Sequence, residues 1–474
     1  MSWLIISLHI GVMALALVHA LIYKRDHRAA LGWVGVIVLF PIAGPVLYFI
    51  FGINRIRLVA RNFSGHYLPF LHFGYERADR QYTASSFDAE PPLPAIMRVG
   101  KRATREPVSS GNRIEMLFNG EAFFPRLIAA IDGATQSVLL SSYLFSPRGI
   151  GKEVILAMSR AVTRGVAVRV IIDGTGALYS ARTAFSSLRK AGVDVAEFMP
   201  PSLIPPSFGV NLRNHRKIAI VDGREAFFGG INIDSRHMVD DPDNSHKTKD
   251  VHFLATGPVV QSLQKVFRRD WWMATRQELK DLPSPQEGGG SGSVCCRVID
   301  DGPDENLDAL AMTLLGLFSA ARESITIMTP YFLLSRELLS ALQSASLRGV
   351  QVQVVIPQRS NLRFIDWATR NMLWELLLWD VKVYAQPAPF AHTKLLAIDG
   401  EYVMAGSANM DSRSLRLNFE LGVEMYDKAL AKQVSDHIQE AIAVSRRVTL
   451  AEVDKRPIHH RLRDAFFWLF SSYL

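Results

Sequence analysis

His215, Lys217 and Asp222 stand in NHRKIAIVDG, and His392, Lys394 and Asp399 stand in AHTKLLAIDG. The spacing His-x-Lys-x-x-x-x-Asp is identical in the two, and each pair is separated by 177 residues (392 − 215). The register continues downstream, where Asn232 in GGINIDSR answers Asn409 in GSANMDSR at the same offset. An imidazole, an ammonium and a carboxamide, each supplied twice, suit phosphate chemistry. Lys217, Lys394, Asn232 and Asn409 can donate to phosphate oxygens that carry charge in a transition state. One imidazole can attack phosphorus while the other protonates the leaving oxygen, which divides the displacement into two steps through a phosphohistidine. The attacking ring must be neutral and in the right tautomer, so its other nitrogen needs an acceptor. Asp250 in TKDVHF and Glu420 in NFE are the candidates, each a short way past the Asn of its own half. The expected pairs are therefore Asp250 with His215 and Glu420 with His392. The intervals differ, 18 residues from Asn232 to Asp250 against 11 from Asn409 to Glu420. No cluster of acidic residues suggests a metal, and the lysines take the electrostatic role of a cation, so neither metal nor cofactor is expected.

Strands must present these groups. Alternate strand residues share a face, so His215 and Lys217 point together, as do His392 and Lys394. Asp222 and Asp399 lie an odd number of positions further on and open Asp-Gly turns, so both are expected to fix turns behind the site. Upstream, SVLLSSYLF (137–145) reads as a buried strand, GKEVILAMSRAVTRGV as a helix and VAVRVIID (166–173) as a second strand. SITIMTPYFL (324–333), SRELLSALQSASLRGV and VQVQVVIP (350–357) repeat that plan, with Gly165 and Gly349 placed to cap the two helices. Strand, helix, strand and His-Lys strand, made twice, predict an α/β protein of two βαβ-rich halves. The halves are expected to pack face to face about a pseudo-twofold axis that brings the His-Lys strands together.

The 474 residues suffice for two or three domains with real cores. A net charge of +8 suggests an anionic partner, whether phosphates, lipid headgroups or nucleic acid, with a basic surface that merely aids solubility as the alternative. The two cysteines, Cys295 and Cys296, are adjacent and offer no disulfide framework. Residues 3–23 carry no Asp, Glu, Lys or Arg, and residues 29–53 form a second uncharged run holding Pro41, Gly44 and Pro45. Both are long enough to cross a bilayer as helices, although PIAGP could kink the second or make it re-enter. A second apolar run at once, and no basic start, argue against a cleaved signal peptide. Basic residues flank both ends of the second run, so orientation stays open. The expected organisation is a membrane anchor at 1–60, a connector at 61–110, a first half at 111–281, a Gly/Ser linker at 282–293, a second half at 294–445 and a basic-aromatic tail at 446–474. That tail, ending FFWLF, suits either an interfacial helix or packing on the core.

The paired His-x-Lys-x-x-x-x-Asp segments with their following Gly-[Gly/Ser]-x-Asn resemble the phospholipase D superfamily. The hydrophobic N-terminal pair, ANMDSRSLRLNFE and TPYFLLSRELL are similar, within it, to the bacterial cardiolipin synthases. The resemblance implies an internally duplicated phospholipase D-like fold behind a transmembrane hairpin, in a multi-pass protein of the bacterial cytoplasmic membrane. It also implies a metal-independent phosphatidyltransferase: phosphatidylglycerol forms a phosphatidyl-enzyme with loss of glycerol, and a second phosphatidylglycerol takes up the phosphatidyl group. By that resemblance the two triads His215, Lys217, Asp222 and His392, Lys394, Asp399 are catalytic, with His215 the nucleophile and His392 the acid/base. The residues alone leave the two histidines nearly symmetric. The expected partners are phosphatidylglycerol and an anionic membrane, with no nucleic acid and with a homo-oligomer left open. A hydrolytic phospholipase D shares the first half-reaction, and a nuclease shares the constellation but not the apolar segments. An inactive anionic-lipid-binding scaffold would not need both motifs intact.

Overall fold

The computed structural model describes residues 2–24, 27–52, 95–104, 106–176, 183–200, 212–280, 282–283, 292–303 and 306–471. Most of the expected connector and of the Gly/Ser linker lies outside them. The chain forms two compact units, Met1–Asn62 and Phe63–Leu474.

In the first unit, α1 (Ser2–Tyr23) carries no acidic or basic residue at either end. The second apolar run is not one helix. α2 (His27–Leu39) stops, and beyond a turn Ala43–Leu47 leads into a π-helical turn, Tyr48–Gly52. Pro41 and Pro45 supply no backbone donor, and Gly44 lets the chain come back against α2. A Cβ at Gly44 would sit 2.5 Å from the Val36 carbonyl oxygen. Among the described residues no helix is long and apolar enough to cross a membrane. The two expected spans are not shown as such: α1 runs unbroken over 22 residues, whereas the PIAGP turn divides the second apolar run, the kink that its Pro41, Gly44 and Pro45 allow.

The second unit holds the duplication. Its first half supplies β1 (Ser109–Phe118), β2 (Ser137–Ser142), β3 (Ala167–Asp173), β4 (Asp194–Phe198), β5 (Ile218–Val221), β6 (Glu225–Gly229) and β7 (Val251–Thr256). The second half supplies β8 (Val294–Asp301), β9 (Ser324–Met328), β10 (Gln351–Pro357), β11 (Lys382–Gln386), β12 (Leu395–Ile398), β13 (Tyr402–Gly406) and β14 (Glu420–Tyr426), with β15 (Arg446–Val448) added at the edge. All join one sheet in the order β15-β11-β10-β9-β12-β13-β14-β8-β1-β7-β6-β5-β2-β3-β4. Outward from the middle, each half runs through the same seven strands in the same order.

That order corrects the face-to-face expectation. The halves meet edge to edge, β1 antiparallel to β8, with a register shift between Ser109 and Asn112. The first strand of each half stands at an inner edge whose unpaired backbone groups need a partner, and the other half provides it. Helices cover both faces. α3 (Ile150–Thr163) and α5 (Arg336–Leu347) are the equivalent crossover helices, and Gly165 (φ 87°) and Gly349 (φ 89°) end them in the left-handed conformation, as expected. α4 (Val259–Thr275) and α7 (Lys428–Ala443) pack on the opposite face in a core that runs across both halves. α6 (Arg363–Leu377) and, near the chain end, α8 (Ile458–Trp468) belong to the second half. The apolar runs IAIV and LLAI are buried at every position because β5 and β12 are covered on both faces.

Arg216 pins the middle of this assembly. Its side chain is fully buried, ion-paired with Asp270 of α4 and Asp300 of β8, and it donates to the carbonyls of Glu420 (3.0 Å) and Asp301 (2.8 Å). Arg216→Met leaves Asp270 as an uncompensated buried charge, expected to cost about 3–5 kcal/mol in chemical denaturation. A loss below about 1 kcal/mol would show that the network relaxes without its arginine.

Candidate active site

The two His-x-Lys segments do not lie within their strands. His215 to Lys217 and His392 to Lys394 form extended lead-ins, and β5 and β12 begin at the next residue. Each lead-in is stitched to the other half. His215 donates its backbone N–H to the Phe419 carbonyl (2.9 Å), and Phe419 donates to that of Arg213 (2.7 Å). On the other side His392 donates to the Lys249 carbonyl (2.7 Å), next to the short parallel pair Phe390–Ala391 and Thr248–Lys249.

These seams decide the carboxylate partners, because Glu420 follows Phe419 and Asp250 follows Lys249. The Glu420 carboxylate lies 3.0 Å from Nδ1 of His215, and Asp250 lies 2.8 Å from Nδ1 of His392. The expected pairing within each half is thus wrong; the pairs are crossed. Both imidazoles are 12% exposed at the side chain while both carboxylates are fully buried. A Nδ1–H held by a carboxylate leaves the Nε2 lone pair for a substrate.

The lysines share a face with their histidines, as alternation requires. Lys217 donates to the His215 carbonyl (2.7 Å) and Lys394 to that of His392, with Lys394 Nζ also 3.0 Å from His392 Nδ1. Burial pushes Lys217 down to about 7, against the pull of Glu420, and Lys394 to about 8, against Asp250. Burial also lowers His215, with Glu420 opposing and Lys217 assisting. His392 falls well below the usual histidine range, first through burial, then through Lys394 and Lys217. Each histidine therefore feels the lysine of the other half as well as its own, which places all four groups around one centre.

The two carboxylates differ. Glu420 also accepts from Ser407 Oγ and from Asn418 Nδ2 (3.1 Å). Burial raises it, yet the charge and hydrogen bond of His215 outweigh this and hold it below its ordinary value. Asp250 has its own neighbour's amide, Val251 N–H (2.8 Å), and burial leaves it raised. Gly230, the counterpart of Ser407, stands so close that a Cβ would lie 2.4 Å from the Asp250 carboxylate.

Asp222 and Asp399 lie behind the site, as the turn reading expects. Asp222 (φ 51°) accepts from the backbone N–H of Thr135, Gln136 and Ser137, and Asp399 (φ 51°) from those of Arg322, Glu323 and Ser324. Each clamps the turn after its His-Lys strand to the start of the neighbouring strand, β2 or β9. Asn232 and Asn409 are buried beside the centre. Asn232 Oδ1 accepts from Leu144 N–H (3.3 Å), which leaves its amide NH₂ for a ligand. Asn409 donates to Ser414 Oγ (3.2 Å) while its buried Oδ1 has no partner. Turning that amide over satisfies the oxygen with Ser414 and frees the NH₂, the arrangement of Asn232.

Sequence reasoning missed several neighbours. Tyr143 stands edge-on to His215 with ring centroids 5.2 Å apart, and Tyr331 does so to His392 at 6.4 Å. His237 accepts from Asn232 N–H (3.4 Å), and its ring lies 6.4 Å from His392. The duplication itself marks His237, because it and Ser414 are again 177 residues apart and each touches the Asn of its half. Among the described residues no group of three or more His, Cys, Asp or Glu is placed to hold a metal ion.

Comparison with known proteins agrees with this architecture. The family described as cardiolipin synthase, PLD-like domain, matches residues 127–271 and again 314–442, once per half. A phospholipase D-nuclease N-terminal family matches residues 11–52. Cardiolipin synthase A of Pseudomonas entomophila is 31% identical over 450 residues, covering 94% of this chain and 92% of that protein. The major cardiolipin synthase ClsA of Bacillus subtilis is 30% identical over 464 residues, 95% of each. The crystal structure of phosphatidylserine synthase from Haemophilus influenzae superposes with a TM-score of 0.62 at 15% identity, over 80% of this chain and all of that one, so the fold is shared. With both halves matched and near-complete coverage of its relatives, the chain belongs to the cardiolipin synthase family of phospholipase D-like proteins.

Proposed function

We propose that this protein is a cardiolipin synthase that moves a phosphatidyl group from one phosphatidylglycerol to the headgroup hydroxyl of another. His392 takes up a proton at Nε2 as the anionic phosphodiester binds, becoming an imidazolium held by Asp250. His215 Nε2 then attacks phosphorus, the P–O bond to the headgroup glycerol breaks, and His392 gives the departing oxygen that proton. The second phosphatidylglycerol then passes a hydroxyl proton to His392 as its oxygen attacks phosphorus. The P–N bond breaks, which releases cardiolipin and restores both rings. The crossed pairs His215–Glu420 and His392–Asp250 carry this reading, because they leave two Nε2 atoms free around one centre flanked by two lysines. Lys217 and Lys394 would hold the phosphodiester, joined by the amides of Asn232 and Asn409.

The inequality of the carboxylates supports His215 as nucleophile. A ring that bonds phosphorus gains positive charge, and Glu420, kept ionised by three donors, is the better partner for it. The raised Asp250 suits the ring that only trades a proton.

The lysines predict a pH dependence. Their protonated forms bind the phosphodiester, and in the free site they lose protons near 7 and 8. kcat/KM should fall as pH rises through that interval, since it reports the free enzyme. A bound anion raises both lysines, so kcat should persist to higher pH. A flat kcat/KM from pH 7 to 9 would contradict the lysine assignment.

Lipid substrates and the apolar residues of the first unit favour work at a bacterial cytoplasmic membrane rich in anionic lipid. The test is incubation of purified protein with phosphatidylglycerol and identification of products by mass. Cardiolipin and free glycerol in equal amounts are expected. Phosphatidic acid in place of cardiolipin would mean that water, not a lipid alcohol, resolves the intermediate.

A further inference from the structure

The helix nearest the end of the described residues has two apolar sides, and among those residues one of them packs on the body. α8 docks on α6 through Phe467, whose ring centroid is 4.8 Å from that of Trp367, and through Arg463, 4.5 Å above the same ring. Asp464 is fully buried between Arg456 and Arg463. The other side carries Ile458, Leu462, Phe466 and Leu469, spaced by four, four and three residues, hence one stripe. They are 67%, 65%, 55% and 69% exposed. Trp374, Leu378 and Trp379, in and just beyond the last turns of α6, add exposed apolar surface on the helix that carries α8. Leu347 continues it at the end of α5, where Ser346 Oγ donates to the Trp379 carbonyl. Large exposed apolar residues gathered on neighbouring helices mark an interaction or membrane surface.

Its rim names the charge of that occupant. Arg461 flanks the stripe on α8 and is exposed, beside the polar rings of His459 and His460. α6 also lines a cavity of about 400 Å³ whose wall holds Arg359, Arg370, Arg446 and Arg456 against two carboxylates, Asp366 and Glu452. A second copy of the chain would set the cationic rim against itself across a twofold axis, which disfavours self-association. Exposed Trp, Phe and Leu bordered by Arg suit the boundary between headgroups and acyl chains. We infer that α8 and the end of α6 form a docking face on which the catalytic body rests on an anionic phospholipid bilayer. Cavity and stripe belong to the half that carries His392, and Pro330 of the cavity wall precedes the Tyr331 that stands against His392. The body would so be seated close to where lipid headgroups must enter. This rests on the phosphatidyl-transfer reading for its purpose but not for its test.

The test uses the full chain in vesicles half of phosphatidylglycerol, with an environment-sensitive fluorophore on Phe466→Cys in a Cys295→Ser background. A control carries it on Lys265→Cys, an exposed position of α4. The probe at 466 should shift to the blue and be quenched by acyl-chain quenchers, while that at 265 stays water-like. The triple variant Leu462→Glu, Phe466→Glu, Leu469→Glu should lose at least about tenfold in activity on vesicles, since three apolar contacts with lipid go. It should stay within about twofold on short-chain phosphatidylglycerol dispersed in detergent. Equal quenching at 466 and 265 would overturn the docking face. So would equal loss on both substrates with a lowered Tm, which would make α8 a structural strut, or a change of oligomeric state without loss of quenching. Absence of any cardiolipin from wild-type protein would instead refute the catalytic reading and leave the probe result standing.

Discussion

His215→Ala and His392→Ala are each expected to reduce cardiolipin formation by at least about 10⁴-fold for the first and about 10²–10⁴-fold for the second. The first removes the ring placed on the triply bonded Glu420 carboxylate; the second removes the proton donor to a poor leaving group. Neither should unfold the protein, because both rings reach the surface of the site and the cores around β5 and β12 are made by other residues. The measurement is initial rate on phosphatidylglycerol beside Tm. The double variant should be little worse than His215→Ala, since residues that act as one unit do not add. Near-normal rates in either single variant would end the two-histidine mechanism.

The crossed carboxylates give the second large effect. Glu420→Gln and Asp250→Asn keep the size of each side chain while removing the charge opposite an imidazole. Losses of about 10²–10⁴-fold are expected for both on phosphatidylglycerol. A substrate analogue whose leaving group needs no proton separates them. Asp250→Asn should then regain its first step, because only proton transfer through His392 was impaired. Glu420→Gln should not, because the attacking ring itself has lost its partner. A pairing within each half predicts the reverse rescue, so one kinetic comparison decides between the two arrangements.

Much of the architecture was legible before any coordinates. Apolar runs with turn chemistry at their ends located the equivalent strands, and the glycines at 165 and 349 sit in the left-handed conformation that ends each crossover helix. Asp222 and Asp399 could be read as turn residues because Asp-Gly and strand alternation agree. The carboxylate pairing was not legible. Closeness in sequence favoured partners within a half, whereas Glu420 reaches His215 across 205 residues through a seam between halves. Local pattern carries no information on such a seam. Arg216 went unseen for a related reason: a buried arginine between strand and helix looks, in sequence, like any exposed one. The second apolar run was legible in part, since Pro41, Gly44 and Pro45 already marked the place where its helix breaks. His237 was within reach, because the 177-residue register already paired it with Ser414.

The central claim is a phosphatidyl group carried on His215 with His392 as its proton partner. Its most direct test is the His392→Asn variant, given the analogue with a good leaving group, quenched rapidly and mapped by peptide mass. The first step needs no acid there, and the second lacks its base, so an acid-labile phosphoramidate should accumulate on the peptide containing His215. His215→Asn treated in the same way should trap nothing. An adduct on His392 in the His215→Asn variant would reverse the roles. No adduct in either variant, with the leaving group still released, would contradict the covalent mechanism and point to direct displacement by the acceptor.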